Sequence, residues 1–107
     1  MSSLEANLER LGPHLARFRQ KGVLNRIGGV DAPGSGPAFQ SISPIDKSVI
    51  ADVARGTSED IDQAAKAAHG AFADWRDMPA TKRRRIMIAI AEGIEARAEE
   101  IALCECW

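Results

Sequence analysis

An alanine-centred stripe limits the fold of this chain more than anything else in it. From residue 57 to 76 the positions Ile61, Ala64, Ala65, Ala68, Phe72 and Trp75 recur at helical spacing. The middle of the stripe is alanine alone, so another element must approach closely to bury it. The same shortage of large side chains runs through the whole sequence. Eighteen residues are Ala and five are aromatic, in a chain of 107. Alanine removes little area from water. Hydrophobic residues make up 45% and charged ones 27%, which is a globular composition and not a disordered one. The length suits one domain and not two. A free-standing domain of this size needs larger core side chains, so the expectation is a piece of something larger.

The helix over 57–76 has clear start signals. Thr57 is a good N-cap, and Asp60 three residues later is a weaker relative of the capping box. Ser58, Glu59 and Asp60 put negative charge at the positive end of the dipole. Pro79 lies just inside the start of the next helix, a favoured position.

That last helix is expected from about Pro79 to the end, in one or two pieces, with Ile86, Ile90, Ile94, Ala98 and Ile101 as its stripe. Its charges are placed against the macrodipole. Lys82, Arg83, Arg84 and Arg85 stand at the N-terminal end, and Glu92, Glu95, Glu99, Glu100 and Glu105 toward the C-terminal end. Each such placement costs a few tenths of a kcal/mol, roughly, at an exposed site, so partners elsewhere outweigh it easily. The sequence ends Ile-Ala-Leu-Cys-Glu-Cys-Trp107 without a Gly, Asn or Pro stop signal. The expectation is a helix cut off on an unburied Trp107.

At the other end, Leu4, Leu8, Leu11, Leu15 and Phe18 form one narrow seam over 3–20, interrupted by Gly12-Pro13 and closed by Gly22. This reads as a leader helix over 1–22, kinked at Gly12-Pro13 or divided there. The seam is short for a coiled coil and needs a partner. Residues 23–107 form the second unit. It opens with β-prone Val23–Ile27, the hairpin punctuation Gly28-Gly29 and a loop Asp31–Pro37. Strands at Phe39–Ile42 and Val49–Val53 follow, about a Ser43-Pro44, Asp46-Lys47 turn.

Candidate chemistry is sparse. Gly34-Ser-Gly36 lacks the third glycine of a phosphate cradle and precedes a strand, so it reads as a flexible loop. Cys104 and Cys106 would point about 200° apart on a helix, so they neither bridge nor chelate together. They read as inert helix-face cysteines in a reduced, cytoplasmic setting. His14 and His69 have surface or packing roles. The tetrad Lys82–Arg85 lacks interleaved aromatics and reads as a solvated or salt-bridged face rather than a phosphate site. With 14 basic and 15 acidic residues the net charge is −1, which excludes a strongly basic nucleic-acid surface. No apolar run approaches the roughly 18–20 residues of a membrane span. Residues 1–10 show no apolar signal core. Phe72 and Trp75 read as core or interface anchors.

The order of segments nevertheless resembles a known family. A glycine hairpin comes first, then a strand ending Ile42-Ser43-Pro44, then Val49-Ile-Ala-Asp-Val53. The helix Thr57 to Phe72 follows with Trp75-Arg76, the arginine-rich start, Ile-Ala-Glu-Gly-Ile94 and Glu99-Glu-Ile-Ala102. Together these resemble the N-terminal segment of the aldehyde dehydrogenase superfamily, over about Val23 to Trp107. Ala64-Ala-Lys-Ala-Ala-His69, the leader helix and the Cys-Glu-Cys106 end are most similar to the 5-carboxymethyl-2-hydroxymuconate semialdehyde dehydrogenases. The resemblance implies an α/β fold. In it this stretch supplies a leader helix, a short antiparallel β-hairpin or meander and two to three helices, as the N-terminal part of an NAD(P)-binding domain. It also implies a parent enzyme that oxidises an aldehyde to an acid with NAD or NADP, works as a homo-oligomeric dimer or tetramer, and serves aromatic catabolism. The family's catalytic cysteine and glutamate and its cofactor loop match nothing here. The 107-residue chain is therefore expected to be inactive, with the remainder of its own polypeptide as first partner. A structural monovalent cation is implied at the backbone carbonyls of Ser41 and Ile42, its aspartate ligand falling beyond Trp107. An alternative reading is a small helical binding or oligomerisation module.

Overall fold

A computed structural model describes residues 2–107. Its architecture is α/β, with four helices and two small antiparallel sheets. Helix α1 (Ser3–Lys21) starts at a capping box that sequence reading did not pick out. The Glu5 N–H donates to Ser2 Oγ at 3.2 Å and the Ser2 N–H to the Glu5 carboxylate at 2.6 Å. The helix runs on through Gly12 and Pro13 as one element. At its end Gly22, with φ 69°, donates its N–H to the Phe18 carbonyl at 2.8 Å.

Strands β1 (Asn25–Ile27) and β2 (Val30–Ala32) pair through Gly28-Gly29. Both glycines have positive φ, 62° and 79°, as a two-residue hairpin of this hand requires. β2 corrects the sequence reading, which gave Asp31 onward to a loop. Asp31 is a poor strand former in isolation, but here it faces Arg26 across the hairpin and accepts a 2.9 Å bond from it. Strands β3 (Phe39–Ile42) and β4 (Val49–Val53) form the second hairpin, with Ser41 opposite Ala51 and Ile42 opposite Val49. The two hairpins are separate sheets and not a meander. Val23, expected in a strand with Ile27, instead makes a single parallel bridge to Val53.

Helices α2 (Ser58–Asp77), α3 (Ala80–Ala96) and α4 (Ala98–Cys106) complete the chain. The break at Arg97 (φ −113°, ψ 18°) changes the electrostatic picture drawn from sequence. Glu99 and Glu100 lie in the first turn of α4, where the dipole favours them. Glu92 and Glu95 stay near the unfavourable end of α3.

Packing is thin and open. The buried apolar side chains are Leu11, Leu15 and Ala51. The leucine seam of α1 finds its partner in α4 and β4 of its own chain. The close neighbour expected for the alanine stripe of α2 is largely missing. β1 meets its edge, with Gly28 near Ala67, while Ala65 and Ala68 stay exposed. Phe72 and Trp75 are 55% and 41% exposed, so they anchor no core within this chain. The radius of gyration is 17.7 Å, against about 13 Å for a compact chain of this length. The accessible surface is 8194 Å², against roughly 5,800 Å² for a compact monomer of this mass. No helix among the described residues is long and apolar enough to cross a membrane.

Candidate functional site

Three polar assemblies hold this open chain in shape, and sequence reading located only part of each. The first ties the Gly34-Ser35-Gly36 loop to the start of α2. Asp60 is buried at the third position of the helix. Its Oδ2 accepts from the Ser35 N–H at 3.0 Å, the Ser35 hydroxyl at 2.9 Å and the Thr57 N–H at 2.8 Å. The Ser35 backbone donor, then that of Thr57, holds the Asp60 carboxyl below the ordinary aspartate range. The loop is therefore pinned, which corrects the flexible reading. It offers no phosphate cradle either, because the carboxylate of Asp60 already occupies the anion seat at the α2 N-terminus.

The second assembly joins the ends of the chain. Arg10 pairs with Glu99, and Arg17 and Arg97 both pair with Glu100, at 2.5 and 2.7 Å to its Oε1. Two guanidinium partners, Arg97 first and Arg17 second, lower the Glu100 carboxyl from its ordinary 4.5 to about 2. A depressed carboxylate stabilises the folded form above its unfolded pKa and loses that contribution as pH falls through the folded value. The α1–α4 contact should therefore hold at pH 5 and weaken steadily toward pH 2. Carboxyl-carbon NMR would check this, with the Glu100 midpoint expected near 2 and a midpoint above 4 counting against the paired geometry.

The third sits at the α2–α3 corner. Arg83, one of the tetrad, donates to the carbonyls of Arg76 at 3.1 Å and Met78 at 2.5 Å. It thus caps the C-terminus of the preceding helix. An arginine six residues beyond a helix end is the signal that sequence reading missed. Lys82, Arg84 and Arg85 remain exposed.

The remaining candidates stay apart. Ser41 and Ile42 flank a register break in the β3–β4 ladder, because Ile50 has no partner between Val49 and Ala51. Cys104 is half-buried and Cys106 exposed. His14 lies in α1 and His69 in α2. No group of three His, Cys, Asp or Glu side chains could hold a metal among the described residues. Trp107, expected unburied, is half-buried, and its indole N–H is enclosed without a partner. With Leu4, Leu8, Leu11, Ile45 and Leu103 it lines an apolar groove of about 460 Å³ between α1 and α4.

Comparison with known proteins places this scaffold. The aldehyde dehydrogenase family model matches residues 31–107. An aldehyde dehydrogenase of Vibrio cholerae is 39% identical over 84 residues, covering 78% of this chain and 17% of the relative. The mitochondrial benzaldehyde dehydrogenase of Antirrhinum majus is 42% identical over 80 residues, covering 73% of this chain and 15% of that one. The crystal structure of HpcC from Thermus thermophilus superposes with a TM-score of 0.86 at 37% identity, over 92% of this chain and 19% of HpcC. The chain thus spans about a sixth of the length of the curated relatives it matches.

Proposed function

This chain belongs to the aldehyde dehydrogenase family, and from that we propose that it serves as the N-terminal part of an NAD- or NADP-dependent enzyme oxidising an aldehyde to a carboxylic acid. The observation that carries the reading is the match over residues 31–107. The open construction described above supports it. The alanine stripe of α2 and the groove behind Trp107 are apolar surfaces that further polypeptide would cover. On this reading the chain's own residues do structural work. Asp60 fixes the loop against α2, Arg83 sets the α2–α3 corner, and Glu99 and Glu100 hold α1 on α4.

The finer assignments belong to the same proposal. The substrate would be a semialdehyde of the 5-carboxymethyl-2-hydroxymuconate type, from aromatic catabolism, supported by the Ala64–His69 run and the Cys-Glu-Cys106 end. The enzyme would be a cytoplasmic homo-oligomer, without nucleic-acid or membrane partners. Ser41 and Ile42 would give two carbonyls to a monovalent cation. Two oxygens fall well short of the roughly six a hard cation takes, so the other ligands would come from beyond these residues.

The test joins residues 1–107 to the polypeptide that follows the aligned stretch in the Vibrio cholerae relative. Reduction of NAD or NADP by aldehyde is expected for the joined chain and not for the 107 residues alone. Turnover by the 107-residue chain would overturn the reading, as would a folded, cofactor-binding joined chain without turnover.

A further inference from the structure

Helix α3 stops and α4 starts at a place where the local sequence favours neither event. Ala96, Arg97 and Ala98 are among the strongest helix formers, and from Ala80 to Cys106 there is no proline and no glycine but Gly93. The stripe Ile86, Ile90, Ile94, Ala98 and Ile101 passes through the junction on one face. Helix breaks usually have a cause such as Pro, Gly or an inserted group. At this one Arg97 adopts φ −113°, ψ 18°, close to the bridge region. Its N–H donates to the Ile94 carbonyl at 3.1 Å, three residues back, where a continuous helix would offer Gly93, four back.

The cause lies beyond the break. α4 packs on α1, whereas α3 packs on no other element to any extent. Arg10 pairs with Glu99, and Arg17 with Glu100 at 2.5 Å, both glutamates standing in the first turn of α4. Arg17 and Phe18 line a cleft with Glu100, Ile101 and Cys104. We propose that α1 imposes the break at Arg97, and that releasing α1 joins α3 and α4 into one helix over 80–106. The two states exclude each other, because a joined helix carries residues 98–106 along the α3 axis, which α1 does not follow. The docked state buries Leu11 and Leu15 and puts Glu99 and Glu100 at a helix start, where the dipole favours them. The joined state gives the first N–H groups of α4 acceptors within the helix. Such coupling is reciprocal: whatever strengthens the joined helix releases α1. The N-terminal helix thus acts as a strap that sets the direction of α4 from more than eighty residues away. The proposal rests on no part of the enzymatic reading, since it concerns contacts within this chain alone.

Backbone NMR of the 107-residue chain tests it. In the unaltered chain Arg97 should show a non-helical carbon shift between two helical stretches, with NOEs between Phe18 and Ile101. In the Leu11→Ala, Leu15→Ala double variant those NOEs should vanish and Arg97 should take a helical shift. Amide exchange at Ala98 and Glu99 should then slow by about tenfold. A second variant, R10E/R17E, keeps both leucines and sets like charges against Glu99 and Glu100; it should raise the helical population at Arg97 in the same way. A helical Arg97 in either variant, with the Phe18–Ile101 NOEs lost, supports the proposal. An Arg97 that is helical in neither overturns it, whether residues 98–106 stay a separate helix or melt. So does a helical Arg97 that leaves the Phe18–Ile101 NOEs in place, since docking and joining would then coexist.

Discussion

Gly34→Ala should pull the β2–β3 loop off helix α2 and cost roughly 3–5 kcal/mol, at the upper end for a single substitution. A methyl at position 34 would stand 1.9 Å from the Arg55 carbonyl oxygen and 2.5 Å from its carbon. Those are backbone atoms next to β4 and cannot turn aside as a side-chain tip would. Either the loop or the Arg55 segment has to move. The neighbouring bonds go with it: Ser35 to Asp60, and the Arg55 guanidinium to the Pro37 carbonyl at 3.0 Å. Asp60 then loses the backbone donor that does most to lower its pKa. The variant should therefore show a rise in the Asp60 midpoint toward the ordinary aspartate value, alongside a lower unfolding midpoint in urea. Gly70→Ala provides the contrast. Apart from the helix's own neighbouring backbone, nothing lies within 4 Å of that added methyl, and the position is inside α2. There the same substitution should stabilise by about 0.5–1 kcal/mol. Equal responses at the two positions would show that the loop is not held as described.

Local signals carried much of this fold into the sequence. Thr57 with Asp60, Gly28-Gly29, and the alternating stretches Phe39–Ile42 and Val49–Val53 each act within a few residues. The structure places α2, the first turn, β3 and β4 accordingly. What escaped depends on distance along the chain. β2 exists because Asp31 has Arg26 opposite it, a pairing that composition around Asp31 argues against. The Arg97 break turns two glutamates from misplaced into well placed, and their partners Arg10 and Arg17 lie more than eighty residues away. The pinned loop follows the same logic. Gly34-Ser-Gly36 alone reads as slack, and only the Asp60 carboxylate 25 residues on makes it tight. Family membership was legible for a different reason. It rests on the order of many weak signals, and order survives where no single motif is diagnostic. A catalytic site was not legible because the residues that the resemblance assigns to catalysis match no position in these 107.

Leu11→Ala should undock α1 from α4 and β4, with a loss of about 2–5 kcal/mol. Leu11 is 4% exposed, and with Leu15 and Ala51 it makes up the buried apolar core. The ion pairs that cross the same contact do not compensate. Arg10 and Glu99 are both largely exposed, and such pairs contribute about 0–1 kcal/mol. Leu11 also borders the groove behind Trp107, so the vacated space opens to water instead of closing. Emission from Trp107, read in a Trp75→Phe background, should shift to the red, and the radius of gyration should rise above 17.7 Å. Leu4→Ala, two turns earlier on the same seam and 65% exposed, should change neither quantity appreciably. If the two variants behave alike, the seam is not bound where Leu11 and Leu15 lie. If only the Leu11 variant opens the chain, closure rests on those two leucines, and the arginines of α1 serve mainly to choose the register in which they dock.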